Sequence, residues 1–107
     1  MGQRPMHLKR ALIMHPIDNV ATALEEILAG EEVAIPIAGT ALTIRATETI
    51  PFGFKMALGE IPQGEIIRKY GEAIGKASVR IAEGVLVHIH NLEGVRGRGD
   101  LEGNSRA

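Results

Sequence analysis

Two histidines separated by one residue, His88 and His90, stand in the stretch VLVHIHNLEGVRGRGDL, residues 85–101, with Asn91 directly after them. In an extended strand, positions i and i+2 point to the same face, so this spacing sets the two imidazoles side by side. Neutral imidazole ligates divalent zinc, iron, manganese or nickel. Two ligands do not complete a metal site. A third and a fourth must come from elsewhere in the chain, from substrate or from another chain. The plainer alternative is a pair of surface histidines on the wet face of a strand, opposite Val87 and Ile89.

Other residues carry the same two-sided reading. Asp18 precedes an apolar run and has the position of a helix N-cap, where a carboxylate accepts from free backbone amides. Asn19 follows it. Lys55, after the glycine at position 53, can bind a carboxylate or simply stay solvated. Lys69 and Tyr70 precede Gly71, and a tyrosine at a strand end ordinarily packs its ring and wets its hydroxyl. His7 and His15 carry no assigned role. The chain holds no P-loop, dinucleotide fingerprint, Gly-x-Ser-x-Gly or His-Glu-x-x-His. No self-contained catalytic constellation is visible.

The elements that must position these residues are short. KRALIMH, residues 9–15, reads as a first strand that Pro16 ends. Val20, Leu24, Ile27 and Leu28 recur at helical spacing, with Glu25 and Glu26 on the open face and Gly30 as a left-handed stop. This predicts one short amphipathic helix over about residues 19–29. EEVAIPI and TALTIRATETI are rich in β-branched residues and are joined by a turn at AGT, residues 38–40. Leu42, Ile44 and Ala46 alternate with Thr43, Arg45 and Thr47, which predicts one buried and one wet face. EIIRKYG and VLVHIHN read as later strands. Ile27-x-x-Gly30, Ile61-x-x-Gly64 and Ile81-x-x-Gly84 share a pattern in which an isoleucine fills the core and a glycine takes positive φ before the next strand.

Bulk properties narrow the function. The chain has 107 residues, enough for one domain with a modest core. Its 12 basic and 13 acidic residues give a formal net charge of -1, so charge does not draw it to nucleic acid or to an anionic membrane. Aromatic residues are 3% of the chain, too few for base-stacking platforms. There is no cysteine, hence no disulfide, thiol nucleophile or thiolate site. No apolar run reaches membrane-span length, and the N-terminus lacks the apolar core and cleavage site of a signal peptide. A cytoplasmic protein is the simplest reading. LEGVRGRGDLEGNSRA lacks apolar periodicity, which predicts a flexible tail over residues 95–107. Arg98-Gly99-Asp100, the cell-adhesion tripeptide, is read as coincidence.

Taken in order, DNVATALEEILAGEEV, IPFGFKMALGEIPQGEIIRKYGEAIGKA and IAEGVLVHIHNLEGVRGRGDL resemble the small SAF-type domain of the altronate/galactarate dehydratase family. The resemblance covers about residues 9–101. In many members this domain begins a long chain. In others it is a separate small subunit beside a large one, as in sulfolactate sulfo-lyases. The chain stops just past RGRGDL, which favours a separate small subunit.

The resemblance implies an α+β, mainly β, SAF or β-clip-like domain over residues 9–94, preceded by an extension over residues 1–8. It implies a lyase that removes water or sulfite from a hydroxy acid, with iron or manganese as the expected metal. It also implies a large dehydratase subunit as partner; a homo-oligomer is compatible with it. Residue by residue, the family's Asp-Asn-Val-Ala matches Asp18 to Ala21, its Lys-Tyr-Gly matches Lys69 to Gly71, and its His-x-His-Asn matches His88, His90 and Asn91. These matches imply catalytic and metal-binding roles for His88 and His90. They imply substrate contacts for Asp18, Asn19, Lys55, Lys69, Tyr70 and Asn91. Many members have Gly-His-Lys where this chain has Gly53-Phe54-Lys55, and a phenylalanine there can only pack or shape a pocket. The rival reading is a non-catalytic SAF-type module that grips a ligand or a partner chain.

Overall fold

Runs of β-branched and small residues, cut short by glycines and prolines, make this a chain of brief strands. The structure, a computed structural model, describes residues 8–94. The tail expected over residues 95–107, His7 and most of the N-terminal extension lie outside the described residues.

Among the described residues nine strands follow one another: β1 (Lys9–Leu12), β2 (Val20–Ala23), β3 (Glu32–Ile37), β4 (Thr40–Arg45), β5 (Lys55–Ala57), β6 (Ile66–Lys69), β7 (Glu72–Ala77), β8 (Leu86–Val87) and β9 (Leu92–Glu93). They form a six-stranded sheet of order β4-β3-β1-β2-β5-β8 and a three-stranded sheet of order β6-β7-β9. Among the described residues, only β1 and β3 pair in parallel. Two aliphatic cores result. The first gathers Ala21, Ala23, Ile27, Val33, Ile35, Ile44, Ile50 and Met56. The second gathers Val20, Ala57, Ile61, Ile67, Ala77, Ile81 and Val87. Val20, Ala57 and Val87 lie in strands whose neighbours Ala21, Met56 and Leu86 face the first core, so β2, β5 and β8 separate the two cores.

The helix expected over residues 19–29 is absent: no helix occurs among the described residues. Val20–Ala23 instead form β2, between β1 and β5. A strand buried on both faces carries small apolar residues throughout and loses the polar–apolar alternation that announces a strand. Leu28, which a helix would have turned inward, is 49% exposed. Glu25, expected on an open helix face, accepts from the Arg10 amide and ties this segment to β1.

The repeated isoleucine–glycine device is present, and it occurs once more than the sequence pattern suggested. Ile27 bridges Ile50, and Ile61 bridges Ile81. Gly30, Gly53, Gly64 and Gly84, each three residues after one of these isoleucines, have φ between 84° and 89°. Each glycine amide donates to a carbonyl on another segment: Gly30 to Ala46, Gly53 to Ala23, Gly64 to Ala77 and Gly84 to Ala57. The amides of those alanines return a bond to the residue after the glycine: Glu31, Phe54, Glu65 and Val85. The fourth copy, Ile50-Pro51-Phe52-Gly53, reads in sequence as a break because of its proline. In the fold it is the partner of the first.

Two hairpins complete the design. β3–β4 turns through Ala38 and Gly39 at φ 45° and 85°, and β6–β7 through Tyr70 and Gly71 at φ 58° and 75°. Positive φ at both central positions is the two-residue turn whose twist suits a hairpin. The strand expected at VLVHIHN is limited to Leu86–Val87. Beyond it the Asn91 amide donates to the His88 carbonyl and closes a turn.

Candidate functional site

The acidic and amide side chains at the start of β2 are consumed by the second hairpin. Asp18, 7% exposed, accepts from the Tyr70 amide at 3.0 Å and from the Gly71 amide at 2.8 Å. Asn19 donates to the Ile66 carbonyl at 2.9 Å and accepts from the Arg68 amide at 2.8 Å. Asp18 is therefore not a helix cap. Together the two residues staple β6–β7 to the large sheet. Arg68 follows the bulge between Ile67 and Arg68, where the ladder shifts register, and Asn19 caps that irregularity.

This clamp holds Tyr70 in the left-handed region, at a cost of about 1–2 kcal/mol for a residue with a Cβ. Its ring is not packed in the core: Tyr70 is 59% exposed, and the Lys69 ammonium sits 4.9 Å from its ring centroid. Burial, and then the charge of Lys69, hold the Lys55 ammonium below the ordinary lysine range. Among the described residues, neither lysine takes part in an ion pair. Two cations brought together without a carboxylate between them favour an anion. Backbone strain kept at the same place by a buried carboxylate points the same way, because strained residues gather at binding sites.

The histidines are arranged differently from the sequence expectation. His88 is half-buried, and its ring centroid is 4.8 Å from that of Phe54 at an interplanar angle of 50°. His90 is exposed in the 88–91 turn. The two do not share a strand face, because β8 ends at Val87. Asn91, 3% exposed, is what ends it. Its Oδ1 accepts from the His88 amide and its Nδ2 donates to the Leu86 carbonyl, both at 2.9 Å. Asn91 thus shapes the histidine turn from below. Lys55 pairs with Val87 across the ladder, so Lys55 and His88 are one ladder step apart. They point to opposite sides, because Phe54 packs on the first core while Lys55 falls on the face of Ala57 and the second core.

No group of three or more His, Asp or Glu side chains able to hold a metal occurs among the described residues. His88 and His90 offer two donors at most. Thr22, opposite Lys55 in the ladder, has a buried hydroxyl without a hydrogen-bond partner among the described residues. Sequence reasoning also passed over His15. It lines a largely apolar cleft of about 440 Å³ with Ile13, Met14, Ile37 and Leu58. Its imidazole lies flat against Gly71, where an added Cβ would meet the ring at 2.8 Å. Nothing in the spacing of residues 13–18 foretells that contact, since it joins segments more than fifty residues apart.

Architecture and clamp define a mainly β SAF domain. The profile of the altronate/galactarate dehydratase SAF domain matches residues 9–95, nearly the whole chain, and this chain belongs to that family. It is 41% identical over 78 residues to an altronate dehydratase of Escherichia coli, which covers 73% of this chain and 15% of the relative. It is 36% identical over 86 residues to an altronate dehydratase of Bacillus subtilis, 80% of this chain and 16% of the relative. A third relative is (2R)-sulfolactate sulfo-lyase subunit alpha of Chromohalobacter salexigens, 33% identical over 52 residues, 49% of this chain and 55% of the relative. The chain therefore spans about a sixth of the dehydratases it matches. No helix among the described residues is long and apolar enough to cross a membrane.

Proposed function

We propose that this domain serves a lyase that eliminates water, or sulfite, from a hydroxy acid, and that it grips the substrate's carboxylate while a larger catalytic partner performs the elimination. What supports this reading is that Lys69, stacked on Tyr70 at positive φ, acts by its charge on the half-buried Lys55, and that neither lysine has an ion-pair partner among the described residues. A carboxylate bridging the two ammonium groups relieves their repulsion and restores Lys55 toward its ordinary protonation. The Tyr70 hydroxyl, on an exposed ring, supplies a hydrogen bond to a substrate hydroxyl. Asp18 and Asn19 act from beneath, holding the hairpin that presents Lys69 and Tyr70.

In the elimination, a base takes the proton on the carbon next to the carboxylate. The electron pair of that bond forms the double bond, and the bond from the next carbon to the hydroxyl or sulfite group breaks. A leaving hydroxyl departs as water when an acid protonates it. Because His88 points away from Lys55, the base and the acid are assigned to the catalytic partner, and His88 and His90, in the turn that Asn91 sets, are left as contacts for that partner. The resemblance implies iron or manganese, but the described residues do not fit a complete centre, since two imidazoles leave most of a coordination shell unfilled. The remaining ligands belong to the catalytic partner, as the small share of the dehydratases that this chain matches supports.

The test is reconstitution. The chain alone is expected to turn over none of altronate, galactarate or sulfolactate with iron(II) or manganese(II) added. Combined with the large catalytic chain, it is expected to restore turnover. Activity of the chain alone, or a catalytic chain indifferent to its presence, would overturn the reading.

A further inference from the structure

The lysines of the chain, Lys9, Lys55, Lys69 and Lys76, divide by environment. Lys9 is paired with Glu31 and Lys76 with Glu93. Lys55 and Lys69 take part in no ion pair among the described residues, and both are half-buried.

The strands that carry these two turn them to the same space. Lys55 stands across the ladder from Val87 and two residues before Ala57, so it shares the face of β5 that meets the second core. On β6, Ile67 is buried in that same core, and Lys69 follows two residues on. The register passes from Ile67↔Gly75 to Arg68↔Ala73, so the extra residue of the bulge, Ile74, belongs to β7 and the alternation of β6 is unbroken. Lys69 therefore lies on the side of Ile67, toward the face of β5 that bears Lys55. It is held there: its ammonium sits 4.9 Å from the Tyr70 ring centroid, and Asp18 grips the next two amides. A lysine taken out of water beside a second cation gives up its proton more readily than an ordinary one and becomes a nucleophile. Lys55 is in that setting, through its burial and then the charge of Lys69.

We propose that Lys55 is a nucleophilic amine that forms an imine with a 2-oxo acid, whose carboxylate the Lys69 ammonium holds. The pair itself selects the ligand class. An amine attacks a carbonyl carbon, an ammonium binds a carboxylate, and in a 2-oxo acid the two groups adjoin. The neutral amine adds to the carbonyl carbon, its two protons pass to the oxygen, and that oxygen leaves as water. A carbon–nitrogen double bond remains, and no oxidant or reductant enters. The step needs neither the elimination nor a catalytic partner, so it stands apart from the lyase reading and shares with it only the two lysines. On the lyase reading the ligand also has a source. When the acid that loses water carries a hydroxyl beside its carboxylate, the enol formed takes a proton on carbon and becomes a 2-oxo acid.

Trapping of the imine on the full chain decides it. The chain is incubated with pyruvate, the simplest stable 2-oxo acid, then reduced with sodium borohydride, and the carboxyethylated residues are located by peptide mass spectrometry. Lys55 is expected to carry at least about tenfold more label than the ion-paired Lys9 and Lys76. Lys69→Met is expected to lower the labelling of Lys55 at least about tenfold, and Lys69→Arg to keep it, because the guanidinium restores the positive charge. Circular dichroism of both variants should match the wild type. Label spread evenly over the four lysines would overturn the proposal. So would labelling of Lys55 that is the same in Lys69→Met as in the wild type. Neither result depends on whether the chain restores turnover to a catalytic partner.

Discussion

The ring of Phe54 lies 4.8 Å from the ring of His88, tilted by 50°. By the resemblance read from the sequence, position 54 is a place for a histidine, and this chain instead sets an apolar ring there, against His88. The contact half-buries His88 and fixes its plane.

A substitution tests what that replacement changed. Phe54→His sets two imidazoles in contact and is expected to raise the affinity of the isolated domain for zinc(II) at least about tenfold over wild type. Adding His88→Ala should cancel the gain. Titration calorimetry reads both. Equal zinc affinity in wild type and Phe54→His would show that the two rings do not approach as described.

The Asp18 carboxylate accepts two backbone amides of the Tyr70–Gly71 turn. Hydrogen bonds to a buried charged group are worth about 1.5–3 kcal/mol each, so Asp18→Ala is expected to lower stability by about 3 kcal/mol in urea unfolding. Amide exchange at Tyr70 and Gly71 should quicken with it. A loss below about 0.5 kcal/mol, the scale of an ordinary surface substitution, would contradict the clamp.

The four isoleucine–glycine copies are not equally tolerant. Gly64 has open space where a Cβ would stand, whereas a Cβ on Gly84 would run into the Arg45 carbonyl. Gly64→Ala is expected to cost about 1–2 kcal/mol from its positive φ alone. Gly84→Ala adds the collision with backbone and should cost well beyond that. Equal losses in chemical denaturation would contradict the close approach of residue 84 to β4.

Much of the fold was legible in residues 32–45. There one face meets a core and the other meets solvent, and Ile44 and Ala46 are buried while Thr43, Arg45 and Thr47 are exposed, as alternation required; Leu42, expected on the buried face, is exposed near the tip of the hairpin. The glycine turns were legible because positive φ leaves a chemical mark. β2 was not. Both its faces are covered, its residues are small, and the apolar positions beyond it imitate a helix. The histidine strand failed for another reason: Asn91 captures the chain after Val87, and a side chain bonding its own preceding backbone leaves no periodic signal. Lys55 and Lys69 were visible as candidates, but their proximity depends on the hairpin clamp and could not be read along the chain.

The depressed Lys55 ammonium has a consequence for stability. Its folded pKa lies below its unfolded one, owing to burial and then to Lys69. In the alkaline range just below the ordinary lysine value, the unfolded chain therefore binds more protons, and stability is expected to rise with pH there. Lys55→Met should flatten that rise, as read by urea unfolding across the range. A slope identical in wild type and Lys55→Met would contradict the assignment.

The central claim, that Lys55 and Lys69 hold the substrate's carboxylate, is tested most directly by steady-state kinetics of the chain assembled with its catalytic partner. In Lys55→Met and in Lys69→Met, the KM for the hydroxy acid is predicted to rise at least about tenfold, the scale of one lost charge-assisted contact. The assembly itself should stay intact by sedimentation. Unchanged KM and kcat in both variants would contradict the account.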